Sequence, residues 1–190
     1  APIDTDFDLK ADTIYAPTHG GYVFRLDVVD GGALALGNGG EPIFQAVSSI
    51  GRPLMITGGI DSFPHHIRGQ MVFFGTGRYL LKSADTNAPT VAEAFFGIWD
   101  DPAKSGVEVT RPELQLQKIA NDQDVEGLTC RQIEDHPIDW QTQRGWVVDL
   151  GVDGADPTGE RFIGHPLVVL GKVIFPTFTP PAICELGGVN

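Results

Sequence analysis

The sequence predicts an all-β fold, and three observations carry that expectation. Among 190 residues, 24 are glycine and 14 are proline, which punctuates the chain with turns. Between those turns lie about ten short runs of apolar, β-branched or aromatic residues. Helix-forming runs are few. With 42% apolar residues, a chain of this length can bury one good core.

Taken in order, residues 13–16 and 22–28 read as strands joined by Pro17-Thr18-His19-Gly20-Gly21, whose glycines permit the positive φ of a hairpin turn. The mixed run Tyr22-Val23-Phe24-Arg25-Leu26-Asp27 suits a strand with one face partly solvated. Residues 31–40 read as a glycine-rich loop leading to two short strands, 42–49 and 53–57. Met71-Val72-Phe73-Phe74 is continuously apolar, as a strand buried on both faces requires. Residues 83–90 form a polar loop before a strand at Phe95-Phe96-Gly97-Ile98-Trp99. In 112–120, Leu114 and Leu116 alternate while Glu, Gln and Lys favour helix; the segment is assigned as strand. Strands at 146–150, 162–163, 166–170 and 173–178 complete the set. Such a series suggests a sandwich or part of a propeller, and the recurring pairs Phe74-Gly75, Phe96-Gly97 and Gly145-Trp146 favour propeller blades. No shift in composition divides the chain, so residues 1–190 are read as one domain or a piece of one.

Charge narrows the function classes. A net charge of −12 opposes nucleic-acid binding, which needs clustered Lys and Arg, and opposes docking to anionic lipid. No apolar run approaches the ~20 residues that cross a bilayer as a helix. The start Ala1-Pro2-Ile3, without Met or a leader, is expected of a processed product or an excerpt. Cys130 and Cys184 are compatible with one disulfide or with two buried thiols.

The most informative local feature is Asp4-Thr5-Asp6-Phe7-Asp8-Leu9-Lys10-Ala11-Asp12, with carboxylates at the spacing D-x-D-x-D-x-x-x-D. This matches the first nine positions of an EF-hand-like calcium loop. Alternate residues of a curled loop aim oxygens at one centre: side chains from Asp4, Asp6 and Asp8, the Lys10 carbonyl, and Asp12 directly or through water. Ca2+ is thus the expected cofactor. Leu9 stands where such loops usually have Gly, Tyr15 stands where a bidentate Glu would follow, and no helices flank the loop. These departures point to weak or moderate affinity, suited to a calcium-rich extracellular medium.

Other chemistry lacks support. His65-His66 is the one histidine pair, and adjacent strand residues point to opposite faces unless a loop relaxes them. His19, His136 and His165 read as turn or surface residues. Neither an H-E-x-x-H nor a C-x-x-C pattern argues for zinc, no G-x-S-x-G elbow argues for a hydrolase, and Gly75-Thr76-Gly77 lacks the third glycine of a dinucleotide loop. The chain is therefore read as non-enzymatic. Trp99, Trp140 and Trp146 read as core residues before they read as a binding surface.

Three stretches together resemble the C-terminal propeller domain of the PilY/PilC type IV pilus tip-associated proteins. The first is the calcium loop continuing through Ile14-Tyr15-Ala16 to Phe24-Arg25-Leu26-Asp27. The second is Phe74-Gly75-Thr76-Gly77-Arg78-Tyr79-Leu80 with Phe96-Gly97-Ile98-Trp99-Asp100, similar to the pair F-G-T-G-[KR]-Y-L and Y-G-I-W-D. The third joins Trp140, Arg144-Gly145-Trp146-Val147-Val148-Asp149-Leu150, Gly159-Glu160-Arg161 and Phe178-Thr179-Pro180 to Cys184 and Gly187-Gly188. The resemblance implies a quinoprotein-like modified β-propeller, of which this chain holds about half the blades. It also implies calcium regulation through Asp4, Asp6, Asp8, Lys10 and Asp12, with pilus components as partners. The expected setting is the pilus tip or outer cell surface, in assembly, control of extension and retraction, and surface adhesion. Pro17-Thr18 departs from the family's Gly-Asp in the first hairpin, and Arg68-Gly69-Gln70 is not an integrin motif. Two alternatives remain: a quinoprotein-like enzyme, and a carbohydrate-binding propeller module using Trp99 or Trp140.

Overall fold

The computed structural model describes residues 2–5, 8–78, 91–120, 123–125, 128–152, 156–157 and 159–180. The expected loop at 83–90, Asp6 and Cys184 lie outside these residues, and with Cys184 goes the question of a bridge to Cys130. The first sheet takes β1 (Pro2–Ile3), β2 (Thr13–Pro17), β3 (Tyr22–Val29) and β4 (Ala33–Leu36) in that spatial order, with β5 (Phe44–Gln45) also on β3. The hairpin expected of β2 and β3 is present, antiparallel from Thr13↔Asp27 to Pro17↔Val23. Its turn is closed by Gly21 N–H donating to the Thr18 carbonyl at 3.0 Å.

The second sheet contains β6 (Asp61–Pro64), β7 (Gln70–Gly75), β8 (Glu93–Asp100), β12 (Gly145–Val152) and β13 (Asp156–Pro157) as antiparallel neighbours. A further strand, β9 (Gln115–Gln117), runs parallel to β12. Two hairpins, β10 (Gln123–Val125) with β11 (Leu128–Cys130) and β14 (Leu167–Val169) with β15 (Lys172–Ile174), complete the described strands. The only helical pieces among the described residues are four single 3-10 turns.

Apolar runs in β7 and β8 follow from burial on both faces. Val72, Phe74, Phe96 and Ile98 face the first sheet, in a core shared with Tyr15, Val23, Phe44 and Ile56. Their alternate neighbours Met71, Phe73, Phe95 and Trp99 face the opposite side, packed with Leu150 and Phe162. Side chains alternate across a strand, so the middle of a strand between two cores has no position facing water. Glycine permits the tightest approach: an added Cβ on Gly145 would lie 2.0 Å from the Gly97 carbonyl oxygen, and its φ of 135° is open to glycine.

Several expected strands are shorter or absent. Residues 42–49 yield only β5 and the bridges Phe44↔Val109 and Val47↔Pro53, the second of which is all that 53–57 contribute. Residues 112–120 begin in a 3-10 turn at Arg111–Glu113 and supply three strand residues. Phe162 sits in the core beside the single bridge Arg161↔Phe178, so 162–163 is not a strand. The supposed loop 31–40 hides β4, whose Ala-Leu-Ala-Leu is wholly exposed and so lacks the apolar-in, polar-out signature.

Candidate metal centre

Residues 4–12 connect β1 to β2, whose register pairs Ile3 with Thr13. The loop thus leaves and re-enters one antiparallel pair, and its base is closed by Asp12 N–H donating to the Ile3 carbonyl at 2.8 Å. Leu9 has φ 71° and is 94% exposed. A leucine therefore adopts the left-handed turn that glycine usually supplies, at a cost in backbone strain of about 1 kcal/mol. That bend brings Leu9 N–H to Asp4 Oδ2 at 2.8 Å, reaching back five residues.

Asp8 and Asp12 are held by hydrogen bonds too. Asp8 Oδ1 accepts from Lys10 N–H at 2.8 Å, and Lys10 Nζ lies 3.0 Å from Asp8 Oδ2. Asp12 Oδ2 accepts from the Thr5 N–H at 2.6 Å and from its hydroxyl at 2.5 Å. Among the described residues no three acidic or histidine side chains converge on one point, and Asp6 lies outside them. The donor chemistry nevertheless fits a hard cation: carboxylates and a carbonyl on a curled nine-residue loop, each carboxylate having about four lone-pair sites.

The sequence reading missed what lies behind the loop. Tyr15, two residues beyond Thr13, is 2% exposed and donates its hydroxyl to Asp100 Oδ2 at 2.7 Å. Its cross-strand partner Arg25 approaches the same carboxylate, with NH1 to Oδ2 at 3.0 Å, and meets Asp27 Oδ1 through Nε at 3.0 Å. Burial and then Asp100 push the Tyr15 hydroxyl far above its usual range, so it stays a donor. Burial works against the Arg25 charge, but Asp100 and Asp27 outweigh it and keep the guanidinium protonated. Asp100 ends β8, so this cluster joins the two sheets. A cavity of about 510 Å3 lies between it and the loop, with Asp4 and Thr5 on one wall and Tyr15, Arg25, Asp27 and Asp100 on another. The available signal was an acid, Asp100, ending a fully apolar run: a buried carboxylate must find a partner.

The remaining candidates are structural. Trp99 is 2% exposed and donates its indole N–H to the Arg68 carbonyl at 2.7 Å, so it cannot stack on a sugar. His65 and His66 follow β6 in a turn, which brings their rings to 4.3 Å instead of opposite faces. His65 packs on Trp99 at 4.3 Å, and its Nδ1 accepts from Ile67 N–H at 3.2 Å. His19 is exposed, and His136 pairs with Glu134 at 2.8 Å.

Known proteins share this fold. The model of the PilY1 beta-propeller domain matches residues 1–127. The chain belongs to that family. A type IV pilus biogenesis factor PilY1 homolog of Xylella fastidiosa is 35% identical over 199 residues, covering 100% of this chain and 13% of that protein. Type IV pilus biogenesis factor PilY1 of Pseudomonas aeruginosa is 31% identical over 212 residues, covering 93% of this chain and 18% of that protein. The crystal structure of the Pseudomonas aeruginosa PilY1 C-terminal domain superposes with a TM-score of 0.84 at 28% identity, over 95% of this chain and 43% of that one. The two sheets are therefore parts of a β-propeller, and the chain spans less than a fifth of those curated relatives. Both relatives are named as biogenesis factors and not as enzymes.

Proposed function

We propose that this chain is a calcium-binding, non-enzymatic component of a type IV pilus tip complex at the outer cell surface. In this reading it supports pilus assembly, regulates extension and retraction, and contributes to surface adhesion, with pilus components as its partners. Membership of a family whose relatives are named pilus biogenesis factors supports the setting. The observation that carries the calcium site is the left-handed turn at Leu9, which curls an Asp-rich loop despite the missing glycine. No helix among the described residues is long and apolar enough to cross a membrane.

Asp4, Asp6, Asp8 and Asp12 with the Lys10 carbonyl would hold the ion. When bound, Ca2+ supplies two positive charges that offset the repulsion among four carboxylates. The chain does the rest. Lys10 holds part of the Asp8 charge, Thr5 positions Asp12, and the Asp12 backbone anchors the loop to β1 and, through its carbonyl, to Val28 N–H of β3 at 2.7 Å.

Isothermal titration calorimetry with CaCl2 tests the site. Asp8→Ala and Asp12→Ala should each weaken binding by at least about tenfold, with near-wild-type melting temperatures in chelator. Unchanged binding in both variants overturns the assignment. The pilus role is tested separately by surface piliation of cells carrying the same substitutions, which should lose its dependence on external calcium.

A further inference from the structure

On the opposite side of the second sheet from the Asp-rich loop lies a cavity of about 480 Å3. Phe63, Phe73, Trp140, Trp146 and Phe175 contribute ring surface to it, and Met71 adds a polarisable thioether. Two acids, Glu134 and Asp135, lie on its lining. No Lys or Arg lines it. Glu134 holds His136 at 2.8 Å, whereas Asp135 is exposed and makes no hydrogen bond or ion pair among the described residues.

The Trp140 wall is fixed in place. Its ring meets His65 edge-on at 4.4 Å and Trp99 at 5.7 Å, both of which are buried. His65 accepts at Nδ1, so its proton sits on Nε2, which is buried and has no hydrogen-bond partner. His65 therefore adds no positive charge to the wall at neutral pH.

Electron-rich ring faces beside carboxylates repel anions and give little to neutral polar groups, but they attract a cation with an apolar stem. We propose that this cavity binds the alkylammonium end of a lysine side chain on a protein partner, which the chain's net charge of −12 also attracts, whereas a zwitterionic choline headgroup gains nothing from that charge. The ammonium lies against Trp140 toward Asp135, and the methylenes of its stem contact Phe73 and Met71. A sugar fits less well, because Gln117, the amide on the wall, is already bonded at both ends to the His136 backbone at 2.7 Å. This site is independent of the calcium reading and survives its failure.

Tryptophan-fluorescence titration of the whole chain tests it with three probes: N-acetyl-lysine methylamide, choline, and the neutral choline isostere 3,3-dimethylbutan-1-ol. The lysine probe should saturate, with an affinity on the order of tenfold above the isostere. Choline binding more tightly than the lysine probe points to a lipid headgroup and overturns the lysine assignment. Asp135→Asn, a surface change that leaves packing intact, should reduce the preference over the isostere severalfold, and Trp140→Phe should retain more of it than Trp140→Leu. Equal binding of the isostere, no saturation by either ammonium at tens of millimolar, or an unchanged preference in Asp135→Asn overturns the proposal.

Discussion

His65 shows how a single buried residue can make the molecule pH-sensitive. Burial, and then its neighbour His66, lower its pKa to about 4, with Asp101 acting in the opposite direction. The unfolded chain binds a proton near pH 6.5, so between pH 6.5 and about 4 the unfolded state holds more protons than the folded one. Stability is therefore complete above pH 6.5 and falls as the medium is acidified through that window, by about 2 kcal/mol at the lower end. Urea unfolding from pH 7.5 to 4.5 should show this loss, and His65→Gln should flatten it while lowering stability at neutral pH through lost ring packing. A variant that tracks the wild type in parallel across the window would exclude His65 as the cause. Leu9 makes the companion case. Its positive φ costs strain in a side chain that contacts solvent, so Leu9→Gly should stabilise the curled loop and tighten calcium binding severalfold, read by the same calorimetry.

At the scale of elements, the second sheet is where side chains leave least freedom. Phe74 and Phe96 are fully buried and their rings stack at 5.4 Å across β7 and β8, with Phe44 of the first sheet against both. Phe96→Ala should cost about 3 to 5 kcal/mol, seen as a shift in the urea midpoint with an unchanged slope. Such strands were legible in the sequence because the apolar run 71–74, closed by Gly69 and Gly75, is too short for a helix and suits a strand covered on both faces. The aromatic-glycine pairs were legible too: an added Cβ on Gly75 would meet the Phe162 Cβ at 2.5 Å and its ring at 2.6 Å. What stayed hidden were elements set by neighbours. The exposed β4 exists because β3 offers it a ladder, from Leu26↔Leu36 to Val29↔Ala33, and β6 because β7 does, and neither carries a periodic pattern of its own. The candidate site divides likewise. Asp spacing announced the loop, whereas Tyr15, Arg25 and Asp100 are separated by up to 85 residues, and only the pairing of β2 with β3 and the shared core bring them together.

For the molecule as a whole, the question is how order in a surface loop reaches the second sheet. Asp12 ends the loop and Thr13 begins β2, so fixing Asp12 fixes the register of the strand that carries Tyr15. Tyr15 and Arg25 then hold Asp100 at the end of β8, the central strand on which both cores rest. A contiguous path of bonds is only a candidate for coupling until both ends are shown to bias one equilibrium. Tyr15→Phe makes the decisive variant, since it deletes one hydroxyl, leaves the ring in the core and does not touch the loop. Under the proposed function, calcium at 100 times its dissociation constant should stabilise the native chain by about 2.7 kcal/mol. Hydrogen exchange should then slow at β1 and β2, and also at β8 and β7, which lie beyond the Asp100 joint. In Tyr15→Phe, calorimetry should give a calcium affinity within about threefold of wild type, while the added protection stops at the first sheet. If β8 gains the same protection in the variant, the two sheets communicate through the packed core or the Arg25–Asp100 ion pair and not through the Tyr15–Asp100 hydrogen bond, and the loop's influence reaches the second sheet without that hydroxyl.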